Sequence, residues 1–278
     1  MKKTRLGIVI FFFALFGGSA VFNGPVRSQE SQPLLPKPTA ILKTISELQA
    51  FGNRTTWQKQ NEAADYLYAR LKQIKGLEVR YHLYPSGGKT WKNVVARLPG
   101  KGCPAKVYLF CAHYDSHPQG LQADSFSPGA DDNASGVSVL LEGARVLAGN
   151  PGPNTLEWVF FSNEEVGHLG SLAYVQDLKT QGIGLAGVVN IDTIGYTQSS
   201  LKGLWQESAG KGFWRRTGHL VKTMIKRPIY FWQTGFKNPK EILLVGGRPA
   251  NTAFVEKIYA ALRKAEMGVK KDIGPQCG

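Results

Sequence analysis

Three runs in this chain are apolar almost throughout: KVYLFCA (106–112), TLEWVFFS (155–162) and AGVVNID (186–192). A strand covered on one face alternates apolar and polar residues, whereas a strand covered on both faces has no need to. These runs are therefore expected to be interior strands, and a sheet built from them needs an apolar layer on each side. The stretches between them supply it. ASGVSVLLEGARVLA (134–148) and LGSLAYVQDL (169–178) carry helical patterning, so strand and helix alternate along the chain. The expected fold is α/β: a mixed, mostly parallel central sheet with helices on both faces, in three layers. Upstream, helices are expected at 40–50 and 56–75, the second with Ala64, Leu67, Leu71 and Ile74 on one face and Gly76 ending it, then strands at 77–84 and 91–98. Downstream, GFWRRTGHLVKTMIKRP (212–228) reads as an amphipathic helix with a basic face, LLVGGRPAN (243–251) as a turn, and residues 249–268 as a helix.

The first twenty residues follow another rule. Lys2, Lys3 and Arg5 precede an unbroken apolar run from Leu6 to Phe16, and Gly18 and Ala20 are small residues where a signal peptidase cuts. Residues 1–20 are read as a cleaved secretory signal, which places the protein in the periplasm or outside the cell. If uncleaved, residues 6–22 would instead anchor it to a membrane. Residues 21–39, with the polar, proline-rich SQESQPLLPKPT, are expected to be a flexible linker, and 40–278 a single domain. The net charge of +14 does not by itself point to nucleic acid, because the basic residues of 212–228 are more simply the solvated face of a helix. With three cysteines, Cys103, Cys111 and Cys277, at most one disulfide can form within the chain. Asn53-Arg54-Thr55 is a glycosylation sequon.

Acids gather where the apolar runs end. His113 and Asp115 follow the first in AHYDS, Glu164 and Glu165 follow the second in FSNEE, and Asp192 ends the third. In open α/β sheets the ends of the strands form the binding crevice, so these residues are expected on one rim. The loop PGADDNASG (128–136) brings Asp131 and Asp132 into the next helix from the same side. Each residue alone has a structural reading: a core histidine, an N-cap for the helix at 134–148, acids in a first helical turn. Together they form a nitrogen and oxygen ligand set suited to zinc, with cobalt or manganese as substitutes.

AHYDS, PGADDNASG, FFSNEE and NIDTIGY, in that order, resemble the zinc-dependent exopeptidases of the aminopeptidase and glutaminyl cyclase family, from about Ala40 onward. The resemblance implies two zinc ions. His113 would bind one, Asp131 would bridge both, Glu165 would complete the protein ligands of the first, and Asp192 would bind the second. A cis peptide would join Asp131 to Asp132. Glu164 would be the general base acting on a metal-bridging water. Asp115 and Asp132 would stand behind the ligands, Asp115 accepting the other ring N–H of His113. The implied substrates are peptides with a free N-terminus; a membrane is a partner only if the N-terminal segment is retained, and nucleic acid is not one. The family's fifth ligand, a histidine in a Ser-Asp-His-like motif, has no counterpart here. His219, outside that motif, is the only histidine after Asp192. The resemblance thus implies a member shortened at its C-terminal end, with its second zinc site incomplete. Two other readings belong to the same fold: a glutaminyl cyclase-like enzyme with one zinc, and an inactive binding domain.

Overall fold

Helix α1 (Pro38–Gln49) opens on a proline in its first turn, where a missing N–H costs nothing. It begins two residues ahead of the expected domain start at Ala40. The backbone before it is already fastened: the Lys37 amide donates to Glu142 Oε1 at 2.6 Å, and the Leu35 carbonyl accepts from Arg145. The protein is described as a computed structural model covering residues 35–117, 126–195, 242–247, 252–264 and 268–273. The expected signal at 1–20, the linker up to residue 34, and the basic helix at 212–228 with His219 lie outside the described residues. The chain forms two units, Met1–Gly195 and Tyr196–Gly278.

In the first unit, α2 (Trp57–Lys72) is capped by the Thr56 side chain, which accepts from the Lys59 amide, and it buries Ala63, Ala64, Leu67 and Leu71. Strands β1 (Glu78–Ser86) and β2 (Lys89–Leu98) form a hairpin whose turn, Gly87-Gly88, has positive φ at both residues. Then follow β3 (Cys103–His113), α3 (Ala134–Ala148), β4 (Asn154–Phe161), α4 (Leu169–Thr180) and β5 (Leu185–Asn190). The sheet order is β1-β2-β4-β3-β5, with the β1-β2 and β2-β4 pairs antiparallel and the β3-β4 and β3-β5 pairs parallel. The sheet is mixed, and its described pairings divide evenly rather than being mostly parallel.

Alternation along the interior strands assigns the two faces. Val94, Ala96, Leu98, Phe110, Ala112, Leu156, Trp158 and Phe160 pack under α1, α2 and α3. Val95, Leu109, Cys111, Val159 and Phe161 point the other way, to Tyr174 and Leu178 of α4. Both faces are apolar, which is why the sequence of these strands does not alternate. The result is the three-layer arrangement expected from the sequence.

In the second unit, β6 (Ile242–Gly247) pairs in parallel with β7 (Gly268–Ile273), and α5 (Thr252–Lys264) lies between them in sequence. Of the expected turn at 243–251, the described residues Leu243–Gly247 are strand, because Ile242-Leu243-Leu244-Val245 is an apolar run and the glycines only follow it. Of the expected helix at 249–268, the described residues Thr252–Lys264 are helical, and Gly268 opens β7 instead.

Candidate metal centre

Strands β3, β4 and β5 run parallel with β3 in the middle, so their carboxyl ends share one edge of the sheet. His113 is the last residue of β3 and is buried. Glu164 and Glu165 follow β4, and Asp192 follows β5. The loop leading into α3 arrives at the same edge: Asn133 donates from Nδ2 to the Ile191 carbonyl beside Asp192, at 2.9 Å.

Asn133, not either aspartate, caps α3. Its Oδ1 accepts from the Gly136 amide at 3.0 Å, and a Cβ at Gly136 would stand 2.4 Å from that oxygen, so glycine is required for the close approach. The cap reading of the acids is thereby excluded and their carboxylates are released. They are put to different uses. Asp131 accepts from the Gly195 amide at Oδ1, 2.6 Å away, and its carbonyl accepts from Ser135 Oγ. Asp132 turns toward His113, with Oδ1 3.1 Å from Nε2. The expectation for this pair is therefore reversed: Asp132 faces the histidine and Asp131 fastens the segment after β5. The cis peptide is likewise one bond further on, at Asp132-Asn133.

Asp192 also faces the ring, with Oδ1 3.5 Å from His113 Nε2, and Glu164 Oε2 lies 4.0 Å away. His113, Asp132 and Glu165 each offer a ligand atom, all within 4.8 Å of one another. On these distances Asp192 shares the neighbourhood of His113 more closely than Glu165 does. Two ligand atoms bound tetrahedrally at zinc bond lengths lie about 3.3 Å apart, close to the His113 spacings to Asp132 and Asp192.

Two further observations suit a cation. Asp132 Oδ1 is buried without a hydrogen-bond partner, and such a carboxylate oxygen is costly unless a positive group faces it. Burial works against a charged His113, yet Asp115, Asp132 and Asp192 outweigh it and push the imidazole up to about 12. In the same field, burial and the nearby Asp132 charge push Glu165 above the ordinary carboxylate range. The residues present therefore fit a zinc ion chemically: one nitrogen and several carboxylate oxygens converge, with a deficit of positive charge among them.

Asp115 differs from expectation. Its Oδ1 is 3.4 Å from His113 Nδ1, and that ring nitrogen has no hydrogen-bond partner. The Asp115 carboxylate instead accepts the amides of Glu164 at 3.1 Å and Glu165 at 3.2 Å, one on each oxygen. It therefore sets the position of the glutamate pair. Asn163, just before the pair, has φ 54 and is held by Gln60: its amide donates to Gln60 Oε1 and its Oδ1 accepts from Gln60 Nε2. Asparagine tolerates that left-handed conformation better than most residues.

Arg54 is the residue that sequence reasoning passed over. It is fully buried and spends its guanidinium on backbone: Nε donates to the Tyr114 carbonyl, Nη1 to those of Leu48 and Pro128, and Nη2 to that of Gly129. Burial lowers it to about 10, with Asp115 and Asp132 acting in the opposite sense. It binds the end of β3 to the loop that carries Asp132. Gly129, at φ +59, could carry no side chain here, since a Cβ would stand 2.2 Å from the Asp132 carbonyl and 2.9 Å from Arg54. No sequence signal marked Arg54, which stands inside the sequon. Asn133, by contrast, precedes a clearly patterned helix and could have been read as its cap.

The family model described as peptidase family M28 matches residues 93–236, just over half of the chain. A probable zinc metalloprotease of Pyrenophora tritici-repentis is 38% identical over 186 residues, 57% of this chain and 42% of that protein. Leucine aminopeptidase 1 of Phaeosphaeria nodorum is 37% identical over 124 residues, 42% of this chain and 31% of that protein. The chain spans less than half the length of these curated relatives. Among solved structures, the Legionella pneumophila LapA aminopeptidase is similar with a TM-score of 0.50 and 25% identity, over 57% of this chain and 43% of that one. A Porphyromonas gingivalis glutaminyl cyclase shares the fold, with a TM-score of 0.51 at 21% identity over 64% of this chain and 73% of that one.

Proposed function

The chain belongs to peptidase family M28, and on that premise we propose that it is a zinc-dependent aminopeptidase that removes N-terminal residues from peptides. The observation that carries this reading is the convergence on one buried imidazole of Glu164, Glu165 and Asp192 from the ends of parallel strands and of Asp132 from the loop before α3. His113, Asp132 and Asp192 would hold one zinc, and Glu165 with Asp132 would hold a second. Zinc supplies Lewis acidity, polarising a carbonyl and lowering the pKa of water.

The chain's own groups account for the rest. Glu164 has its Oε2 turned toward the cluster and no ligand role, so it is free to accept a proton from the attacking water. The water oxygen bonds to the scissile carbonyl carbon, the carbon–nitrogen bond breaks, and Glu164 returns the proton to the leaving amine. Asp115 keeps the Glu164 and Glu165 backbones in place while this happens. The carboxylates of Asp115, Asp132, Glu164, Glu165 and Asp192 make the rim electronegative, which suits a substrate's α-ammonium group. The basic and then apolar N-terminal segment supports an extracytoplasmic location.

Glu164→Gln tests the reading. Hydrolysis of leucyl anilide is expected to fall by about 100-fold or more, with zinc content unchanged. A variant that keeps its activity, or that loses zinc as Glu165→Gln would, contradicts the assignment of Glu164 as the base.

A further inference from the structure

Four residues after Glu164, His168 occupies the N-cap position of α4 with φ 57, a left-handed conformation. Glycine or asparagine adopts that conformation at least cost, and a histidine there invites a search for what its ring does. The ring does not cap the helix. Its Nδ1 lies 3.0 Å from Glu164 Oε1. At that distance the two groups are in close polar contact, an ion pair whenever the imidazole is protonated.

The turn between the two residues is closed by backbone as well. The Glu164 carbonyl accepts from the amides of Gly167 at 3.1 Å and His168 at 2.9 Å, and the His168 carbonyl accepts from Leu172. The two oxygens of Glu164 are thereby divided: Oε1 goes to His168, while Oε2 is left facing His113 across 4.0 Å. A glutamate side chain with three rotatable bonds would otherwise sample several orientations at a half-exposed site.

Resting on the reading of Glu164 as the general base, we infer that His168 is a positioning residue for it, holding Oε1 so that Oε2 is presented to the metal cluster. The substrate does not touch His168 in this role, and zinc does not bind it. Its effect is on how often the base is correctly aimed, which appears in kcat rather than in KM.

Two variants separate the ring from the backbone conformation. His168→Gly keeps the left-handed turn and removes the donor, whereas His168→Asn keeps the turn and places a side-chain N–H near the former Nδ1. On the zinc-loaded full chain, His168→Gly is expected to lower kcat for leucyl anilide about tenfold with KM and zinc content unchanged. His168→Asn should recover it to within about threefold of the unsubstituted chain. Crystal structures of the three forms give a readout that needs no activity: Glu164 Oε2 should face His113 in the unsubstituted and Asn forms and swing away in the Gly form. An unmoved Glu164 in the Gly form, an unchanged kcat, or an Asn form as slow as the Gly form overturns the inference. If Glu164→Gln is inactive while His168→Gly is fully active, only the role of His168 fails. If Glu164→Gln is active, the assignment of the base itself fails.

Discussion

The two turns that bring acids to the site, 128–133 before α3 and 162–168 before α4, are built on opposite principles. In the first, a cation grips carbonyls: Arg54 donates to Pro128 and Gly129. In the second, an anion grips amides: Asp115 accepts from Glu164 and Glu165. Each turn contains two adjacent acids, yet they are used differently. Asp131 accepts the Gly195 amide on Oδ1, whereas its neighbour Asp132 is the one of the pair whose Oδ1 lies against His113 Nε2. The glutamates are fastened through their backbones, so both side chains stay available, one near the ligand atoms and one with Oε2 toward the ring. Adjacency of acids therefore says little about which of them meets a metal. What decides it is which carboxylate oxygen is left buried without a partner, and here that is Oδ1 of Asp132.

Removing each clamp should damage its own turn. The larger effect belongs to Arg54, because a neutral replacement takes a donor from four carbonyls at once, and while those of Leu48 and Gly129 keep the amides of Phe51 and Ala134, those of Tyr114 and Pro128 lose the guanidinium that pairs them. Arg54→Met is expected to lower unfolding stability by about 3 kcal/mol or more, read as a drop in the chemical denaturation midpoint. Native-like stability would show that the first turn holds without its clamp. Asp115→Asn is milder, since the amide keeps one acceptor oxygen and presents a donor to one of the two glutamate N–H groups. Zinc affinity is expected to weaken by roughly ten- to a hundredfold in a competition titration with a chelating indicator. An unchanged affinity would mean that the glutamate turn is rigid on its own, through Gln60 and Asn163.

The architecture was legible in the sequence because two periodicities carried it. Residues 134–148 were read as α3 to the residue, and the apolar runs at 106–112, 155–162 and 186–192 fell on β3, β4 and β5 within a few residues. Glycines misled at Leu243–Gly247, where an apolar run outweighed them. The rim of acids was also legible, since it needs only strand ends on one side of a sheet. The division of labour within it was not. Whether Asp131 or Asp132 faces His113 depends on Gly195, which is 64 residues away from Asp131, and no local pattern encodes that. Arg54 was invisible for the same reason: its partners come from Leu48, Tyr114, Pro128 and Gly129, which the fold alone assembles. The imidazole of His168 was passed over because a left-handed N-cap cannot be recognised from residue type when the residue is histidine.

Zinc stoichiometry of Asp131→Asn and Asp132→Asn, measured side by side by elemental analysis after dialysis against a weak chelator, tests the central claim most directly. The two substitutions are chemically identical and concern neighbouring residues, so any difference reports which carboxylate faces the cluster. Asp132→Asn is expected to lose zinc while Asp131→Asn retains it. Loss from Asp131→Asn with retention by Asp132→Asn would contradict the geometry on which the whole site rests.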